Sequence, residues 1–296
     1  RNGTGAVLPP DDPLGSHAHL VVADLDADAR EGRMRLALPV TEDELHGLFA
    51  QEASNERVLS WDAKLEAVVA RQVARLDALV LAARPVPLEP VDEVAPVLLR
   101  AIAGDPARAL PWTEDARQLQ ARVALLAGQD PAGSWPDLSA EHLAETLGEW
   151  LPPWLAGKSR LAQLRELDLA AILRARLGWD LQQRLDDEAP THYRSPAGKR
   201  HRIDYAHGGA PAVSVPLQEM LGARETPSVC RGRVRLLLRL LSPARRPIQV
   251  TRDLAGFWSG SYAEVRKEMR GRYPKHHWPE DPASAAPMAR STKPRA

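Results

Sequence analysis

The apolar periodicity changes twice along this chain of 296 residues, and each change limits what the segment can become. Up to about residue 84 the apolar residues come in short runs and alternations, the pattern of half-buried strands. Residues 20–25 form one run, and residues 33–38 set Arg33 and Arg35 against Met34 and Leu36. Thr41 with Glu44 three residues later forms a capping box, which predicts a short helix over 42–49. Further runs at 58–61, 65–73 and 76–82 read as a meander, so residues 1–84 carry five strands and one helix, the inventory of an OB-like barrel. Residues 85–93 are a Pro-rich linker. From 94 to 189 the period becomes helical. Thr113 caps a helix with Ala116, Leu119, Val123 and Leu126 on one face, Ser139 caps another, and Pro152-Pro153 ends it. From Pro190 short runs return. Residues 192–195 and 200–205 flank Pro196-Ala-Gly198, a hairpin signal, and 212–215 is a third strand. Residues 233–241 and 247–251 flank a turn at 242–246. A last helix runs over 262–270, with Ser261 and Glu264 as capping box and Gly271 as stop. The expected fold class is therefore α+β: an OB-like small β-barrel, a helical module, a small basic β/α module over 190–282, and a disordered tail over 283–296.

Charge follows the same division. The chain balances 39 Lys and Arg against 39 Asp and Glu, yet residues 1–189 hold 19 basic and 31 acidic side chains and residues 190–296 hold 20 and 8. A net of −12 is followed by a net of +12, and such asymmetry points to a polyanionic partner for the basic part. Six of the basic residues are Lys and 33 are Arg. Arg suits phosphate recognition, but an Ala- and Arg-rich composition also accounts for the excess. No apolar run reaches the roughly 18 residues of a membrane helix. The single cysteine, Cys230, excludes an intramolecular disulfide framework and a thiolate zinc cluster within one chain. A cytoplasmic location is expected. The chain starts at Arg1 without a signal peptide, so it reads as a fragment or a processed chain.

Catalytic motifs fail on inspection. Gly157-Lys158-Ser159 imitates the end of a phosphate loop, but Pro152 stands where the pattern needs glycine. Gly3-Thr-Gly5 leads into Pro9-Pro10 rather than a helix. Asp24, Asp26 and Asp28 start like a calcium loop, which then places Ala29 and Arg35 where Gly and Glu are required. His276-His277 with Glu280 and Asp281 lacks a second histidine pair at ligand spacing and reads as a surface turn. There is no G-x-S-x-G elbow. Catalytic, cofactor-binding and metal residues are therefore expected to be absent from this segment.

The basic stretch is the signal that survives. Arg231, Arg233, Arg235 and Arg239 share parity, so on one strand they share a face, opposite Val234, Leu236, Leu238 and Leu240. Arg245, Arg246 and Arg252 follow, then Arg266, Lys267, Arg270, Arg272 and Lys275, interleaved with Trp258, Tyr262, Tyr273 and Trp278. Cations that track phosphates and rings that stack on bases suit single-stranded nucleic acid. Two other readings stay open: Tyr262, Val265 and Met269 are a buried stripe under solvated arginines, or the basic face docks on the acidic half.

The same region carries a resemblance. QVTRDLAGFW (249–258), SYAEVRKEM (261–269) and GRYPKHHWPEDP (271–282) resemble the C-terminal signature of the HrpB-type ATP-dependent RNA helicases, bacterial members of the DExH-box superfamily. NGTGAVLPPDDPL (2–14), LVVADLD (20–26), LPW (110–112), WPDLS (135–139) and EAPTHY (188–193) are similar to that family in the same order, and His277 departs from an expected proline. The resemblance implies two motor domains N-terminal to Arg1 that use ATP and Mg. It also implies that winged-helix and helical-bundle domains precede an OB-like domain, which in related helicases lines the entrance of the RNA channel. Expected partners are RNA or single-stranded nucleic acid and the motor domains, without a membrane. The alternative is a docking scaffold that regulates the helicase without touching RNA.

Overall fold

The computed structural model describes residues 5–26, 32–89 and 93–288, except the side chain of His46. The elements alternate as the periodicity predicts. Strands β1 (Ala6–Val7), β2 (Leu20–Asp26) and β3 (Gly32–Pro39) are followed by helix α1 (Glu42–Leu48). Strands β4 (Ser54–Asp62), β5 (Ala67–Leu76) and β6 (Leu79–Val86) lead to α2 (Val94–Ile102) and α3 (Pro106–Ala109). Then come α4 (Glu114–Gln129), α5 (Ala140–Glu145), α6 (Leu147–Trp150), α7 (Leu161–Leu164), α8 (Leu169–Ala175) and α9 (Trp179–Glu188). Strands β7 (His192–Arg194), β8 (Arg200–Asp204), β9 (Ala212–Pro216), β10 (Ser228–Val229), β11 (Val234–Arg235), β12 (Leu237–Leu241) and β13 (Pro247–Thr251) precede α10 (Leu254–Ser259) and α11 (Tyr262–Arg272).

The chain divides into two compact units. The first takes residues 1–109 and 148–166, the second 110–147 and 167–296. In the first, β5 is the central strand of the sheet β4-β5-β6 and buries Ala67, Val68, Ala70, Val73, Ala74 and Leu76. Residues 148–166 join it through backbone bonds, Val68 N–H to Ser159 O at 2.7 Å and Leu161 N–H to Glu66 O at 2.9 Å. Helix α1 forms with the expected capping box of Thr41 and Glu44 and buries Leu45 against Ala74, Leu76 and Leu81. Strands β1-β3-β2 form a separate sheet, and among the described residues the two sheets close no barrel. Their separation has a physical counterpart in the exposure of Val21, Leu36 and Leu38, side chains that barrel closure would cover. Strand β6 continues to Val86, into the expected linker, of which residues 90–92 lie outside the described residues.

In the second unit packing runs across Pro190, where the charge changes sign. Buried Arg122 of α4 donates to Ala189 O at 2.6 Å and Leu185 O at 3.2 Å at the end of α9. Gln118 bridges α4 to Asp204 Oδ1 and to the Tyr205 amide, at 2.9 and 2.8 Å. The five-stranded sheet has the order β13-β12-β9-β8-β7. Residues 283–288 of the expected tail pack on this unit: Met288 N–H donates to Gln218 O at 3.0 Å, and Pro282 O accepts from Gly222 N–H. Residues 289–296, like Asp28 and Ala29 of the discarded calcium loop, lie outside the described residues.

Candidate nucleic-acid interface

One strand over 231–241 would put four arginines on one face, but the chain changes sheets inside it. β11 pairs only with β10, whereas β12 pairs with β9 and β13. The switch occurs at Leu236, whose amide bonds Pro227 O while the next amide bonds Pro211 O, at 2.8 and 2.9 Å. Leu236, Leu238 and Leu240 are buried as expected. The arginines separate. Arg231 sits in a turn where Cys230, Arg231 and Gly232 are all left-handed, with φ of 55°, 54° and 87°. Two consecutive non-glycine residues there cost about 1 kcal/mol each.

Glu188 holds that turn. Its backbone carbonyl accepts from the Cys230 amide at 2.6 Å, and its buried carboxylate lies 2.8 Å from Arg231 and 3.6 Å from Arg233. Arg233 also donates to Cys230 O at 3.1 Å and to Gln129 O at 2.8 Å. Burial pushes the Cys230 thiol up. Arg239 lies centrally on β12, 3.7 Å from Asp204. Arg266 donates to Trp278 O at 3.1 Å and to Glu280 at 2.7 Å, and Arg272 lies 3.7 Å from Glu268. Arg235, Arg245, Arg246, Arg252, Lys267, Arg270 and Lys275 are exposed and make no salt bridge among the described residues, although Arg270, after Arg266, helps hold the Glu280 carboxyl below its ordinary value.

The aromatics go inward. Trp258 is buried, donates its Nε1–H to Ala223 O at 2.8 Å, and packs at 5.0 Å from Phe257 and 5.3 Å from Tyr262. This corrects its assignment as a stacking platform: its ring faces and its donor are used in the core. Burial raises the Tyr262 hydroxyl to about 12. Trp278 is buried too and donates to Tyr273 O. Helix α10, capped by Asp253 on the Gly256 amide at 3.0 Å, precedes α11. The Ser261 capping box does not form, because Ser261 has helical φ and ψ of −68° and −9°, and α11 runs through Gly271.

Four basic residues outside the expected set, Arg194, Lys199, Arg200 and Arg202, stand on the β7–β8 hairpin. Arg194 is paired directly with Arg200, and His192 with Arg202. Lys199 precedes them at the turn. Arg202 reaches Asp115 of α4 at 2.6 Å, while Arg194, Lys199 and Arg200 are exposed without a carboxylate partner among the described residues. The His192 imidazole is held below its ordinary value, by burial first and then by Arg200 and Arg202. The signal was available in the sequence: basic residues of one parity on both sides of Pro196-Ala-Gly198.

The Gly157-Lys158-Ser159 turn uses two of its three amides within the fold. Lys158 N–H bonds Leu155 O and Ser159 N–H bonds Gln163 Oε1, both at 2.9 Å. Glu114, Asp204 and His207 bring ligand-type atoms within 4.8 Å of one another. Their arrangement is explained by hydrogen bonds, since Asp204 Oδ1 accepts from Gln118 and from the His207 amide, with Arg239 alongside. His276 packs edge-on against Tyr273, and His277 is exposed. Among the described residues no helix is long and apolar enough to cross a membrane.

Comparison with known proteins places the chain in context. A family model described as ATP-dependent helicase C-terminal matches residues 150–282. The chain is similar to the ATP-dependent RNA helicase HrpB of Escherichia coli strain K12, 40% identical over 294 residues, which cover 99% of this chain and 36% of the relative. Among solved structures, it matches the E. coli DExH-box NTPase HrpB with a TM-score of 0.67 and 39% identity over 94% of this chain and 34% of that one. It matches the E. coli DEAH/RHA helicase HrpB with a TM-score of 0.59 and 35% identity over 93% of this chain and 35% of that one. The chain thus spans about a third of the length of these relatives.

Proposed function

We propose that the chain is a C-terminal portion of an HrpB-type helicase, an accessory region that holds RNA while motor domains elsewhere in a full-length helicase use ATP and Mg. The observation that carries this reading is the exposed basic set Arg235, Arg245, Arg246, Arg252, Lys267, Arg270 and Lys275, which makes no salt bridge among the described residues. Contact runs through phosphate, because Trp258, Tyr262 and Trp278, three of the rings interleaved with these basic residues, are buried. The proposal includes a cytoplasmic location and an OB-like ancestry for residues 1–84, whose strands and single helix fit that inventory. Binding of a fluorescent single-stranded RNA by the whole chain at low salt tests it, and no change in anisotropy would refute it.

A second reading has its own observation. Arg231 and Arg233 meet Glu188, and Arg202 meets Asp115, so part of the basic stretch docks on the acidic one inside the same unit. A scaffold role extends that docking to other domains. Charge reversal at Lys267 and Arg270 separates the two: RNA affinity falls under the first reading and is unmoved under the second.

A further inference from the structure

From the sheet edge we infer a phosphate-backbone contact that neither the signature residues nor the resemblance includes: the β7–β8 hairpin, through Arg194, Lys199 and Arg200, grips a nucleic-acid strand without regard to sequence. The inference rests on the RNA-holding reading and adds to it a place.

Four observations carry it. First, the hairpin's outward face is basic by register. His192, Arg194, Arg200 and Arg202 form two directly opposed cross-strand pairs, while the intervening pair, Tyr193 and His201, faces the other side. Like charges directly opposite each other destabilise a strand pair. A fold that keeps Arg194 against Arg200 keeps them at a cost, and a bound polyanion offsets it. Second, β7 is the last strand of its sheet. Edge strands often carry charge to block pairing with other chains, but charges of either sign do that, and alternating signs would do it without repulsion.

Third, the hairpin is fixed from beneath. His201 Nε2 lies 2.6 Å from Glu219 Oε2, Ser195 Oγ donates to the same oxygen at 3.1 Å, and Lys199 N–H donates to Ser195 Oγ at 3.3 Å. Ser195 and Glu219 are buried, and the Tyr193 hydroxyl reaches Met220 Sδ at 3.7 Å. The turn that carries the cations therefore needs little ordering on binding, which removes part of the entropic cost of association. Fourth, neutralisation stops where α4 stops. Arg202 has Asp115 and Asp204 has Arg239, but Arg194, Lys199 and Arg200 have no carboxylate among the described residues. Guanidinium groups presented in this way match phosphate oxygens. With Tyr193 turned inward no Phe, Tyr or Trp ring of the hairpin stands beside these cations, so the ligand is the phosphodiester backbone.

The test uses the whole chain with a labelled oligouridine, titrated with salt. In Arg194→Ala/Arg200→Ala the slope of log K against log salt becomes shallower by about 1.4, two contacts at roughly 0.7 each on a single strand. Affinity at low salt falls about tenfold, and the melting temperature stays or rises because the repulsion is gone. Arg194→Lys/Arg200→Lys restores the slope, and oligouridine and oligothymidine bind alike. Unchanged affinity and slope in the alanine variant overturn the hairpin contact and leave the RNA-holding reading standing. A wild-type chain that binds no RNA overturns that reading instead. Displacement of RNA by polyglutamate at equal charge overturns the assignment to nucleic acid.

Discussion

Two sets of arginines share the second unit and differ in what their charge is used for. Arg122, Arg231, Arg233, Arg239 and Arg266 are engaged with carbonyls and carboxylates of their own unit. Arg194, Arg200, Arg245, Arg246, Arg252 and Arg270 stand exposed and make no salt bridge among the described residues. The engaged set meets carbonyls and carboxylates of α4, α9, β8 and the segment after α11; the exposed set sits on hairpins, on the bend after β13 and on α11. A count of +12 therefore overstates what a ligand can meet. The comparison also explains why the acidic and basic stretches coexist: a share of each neutralises the other within one core.

The difference can be broken first at Arg122. Replacing it with alanine leaves the Ala189 carbonyl without its side-chain donor, removes a second donor from Leu185 O and one of two arginines from Asp186, and a loss of about 3 kcal/mol is expected in urea unfolding. Glu188→Ala releases the left-handed turn at 230–232 and costs about 2 kcal/mol by the same measurement. Arg266→Ala, which loses one carbonyl and one exposed carboxylate, costs about 1 kcal/mol. Arg270→Ala on the same helix stays within about 0.5 kcal/mol. An equal cost at 266 and 270 would dissolve the two sets into one.

The smallest effect expected is on pH. A hydrogen bond from Arg174, then one from Arg122, holds the Asp186 carboxyl below the usual carboxylate range, and one from Arg184 does the same for Asp130. Depressed carboxylates favour the fold above their unfolded values, and that contribution is lost as pH falls through the folded ones. His192, also depressed, adds a loss of the same sign beginning lower than neutral pH, since the unfolded chain takes up the proton first. Melting temperature should therefore decline from neutral towards acid pH. Asp186→Asn should flatten the part of the decline below pH about 4.

Local signals were the legible ones. Thr41 with Glu44, Thr113 and Ser139 each start a helix where the spacing places it, because a cap is satisfied within three residues. The turn at Pro196-Ala-Gly198 appears between β7 and β8 as read. What failed depended on distant partners. Residues 233–240 alternate except at Leu237, yet Pro227 O and Pro211 O take neighbouring amides and split the strand. Ser261 has the residues of a capping box but follows α10, whose end at Gly260 holds Ser261 in helical geometry. Trp258 looked like a base platform because sequence does not reveal which side of a short helix meets Phe257 and Tyr262. For the site, the charge was legible and its partners were not: nothing near Arg233 in sequence announces Glu188 or Gln129.

The central claim is that exposed, unpaired arginines and lysines carry the RNA contact and engaged ones do not. The direct measurement is the salt dependence of RNA binding by the whole chain in two variants, Arg245→Ala/Arg246→Ala/Arg270→Ala and Arg233→Ala/Arg239→Ala, each checked for folding. The account predicts a slope shallower by about 2 in the first, three contacts at roughly 0.7 each, and an unchanged slope in the second. The opposite pattern, with the second variant losing slope and the first keeping it, would contradict it.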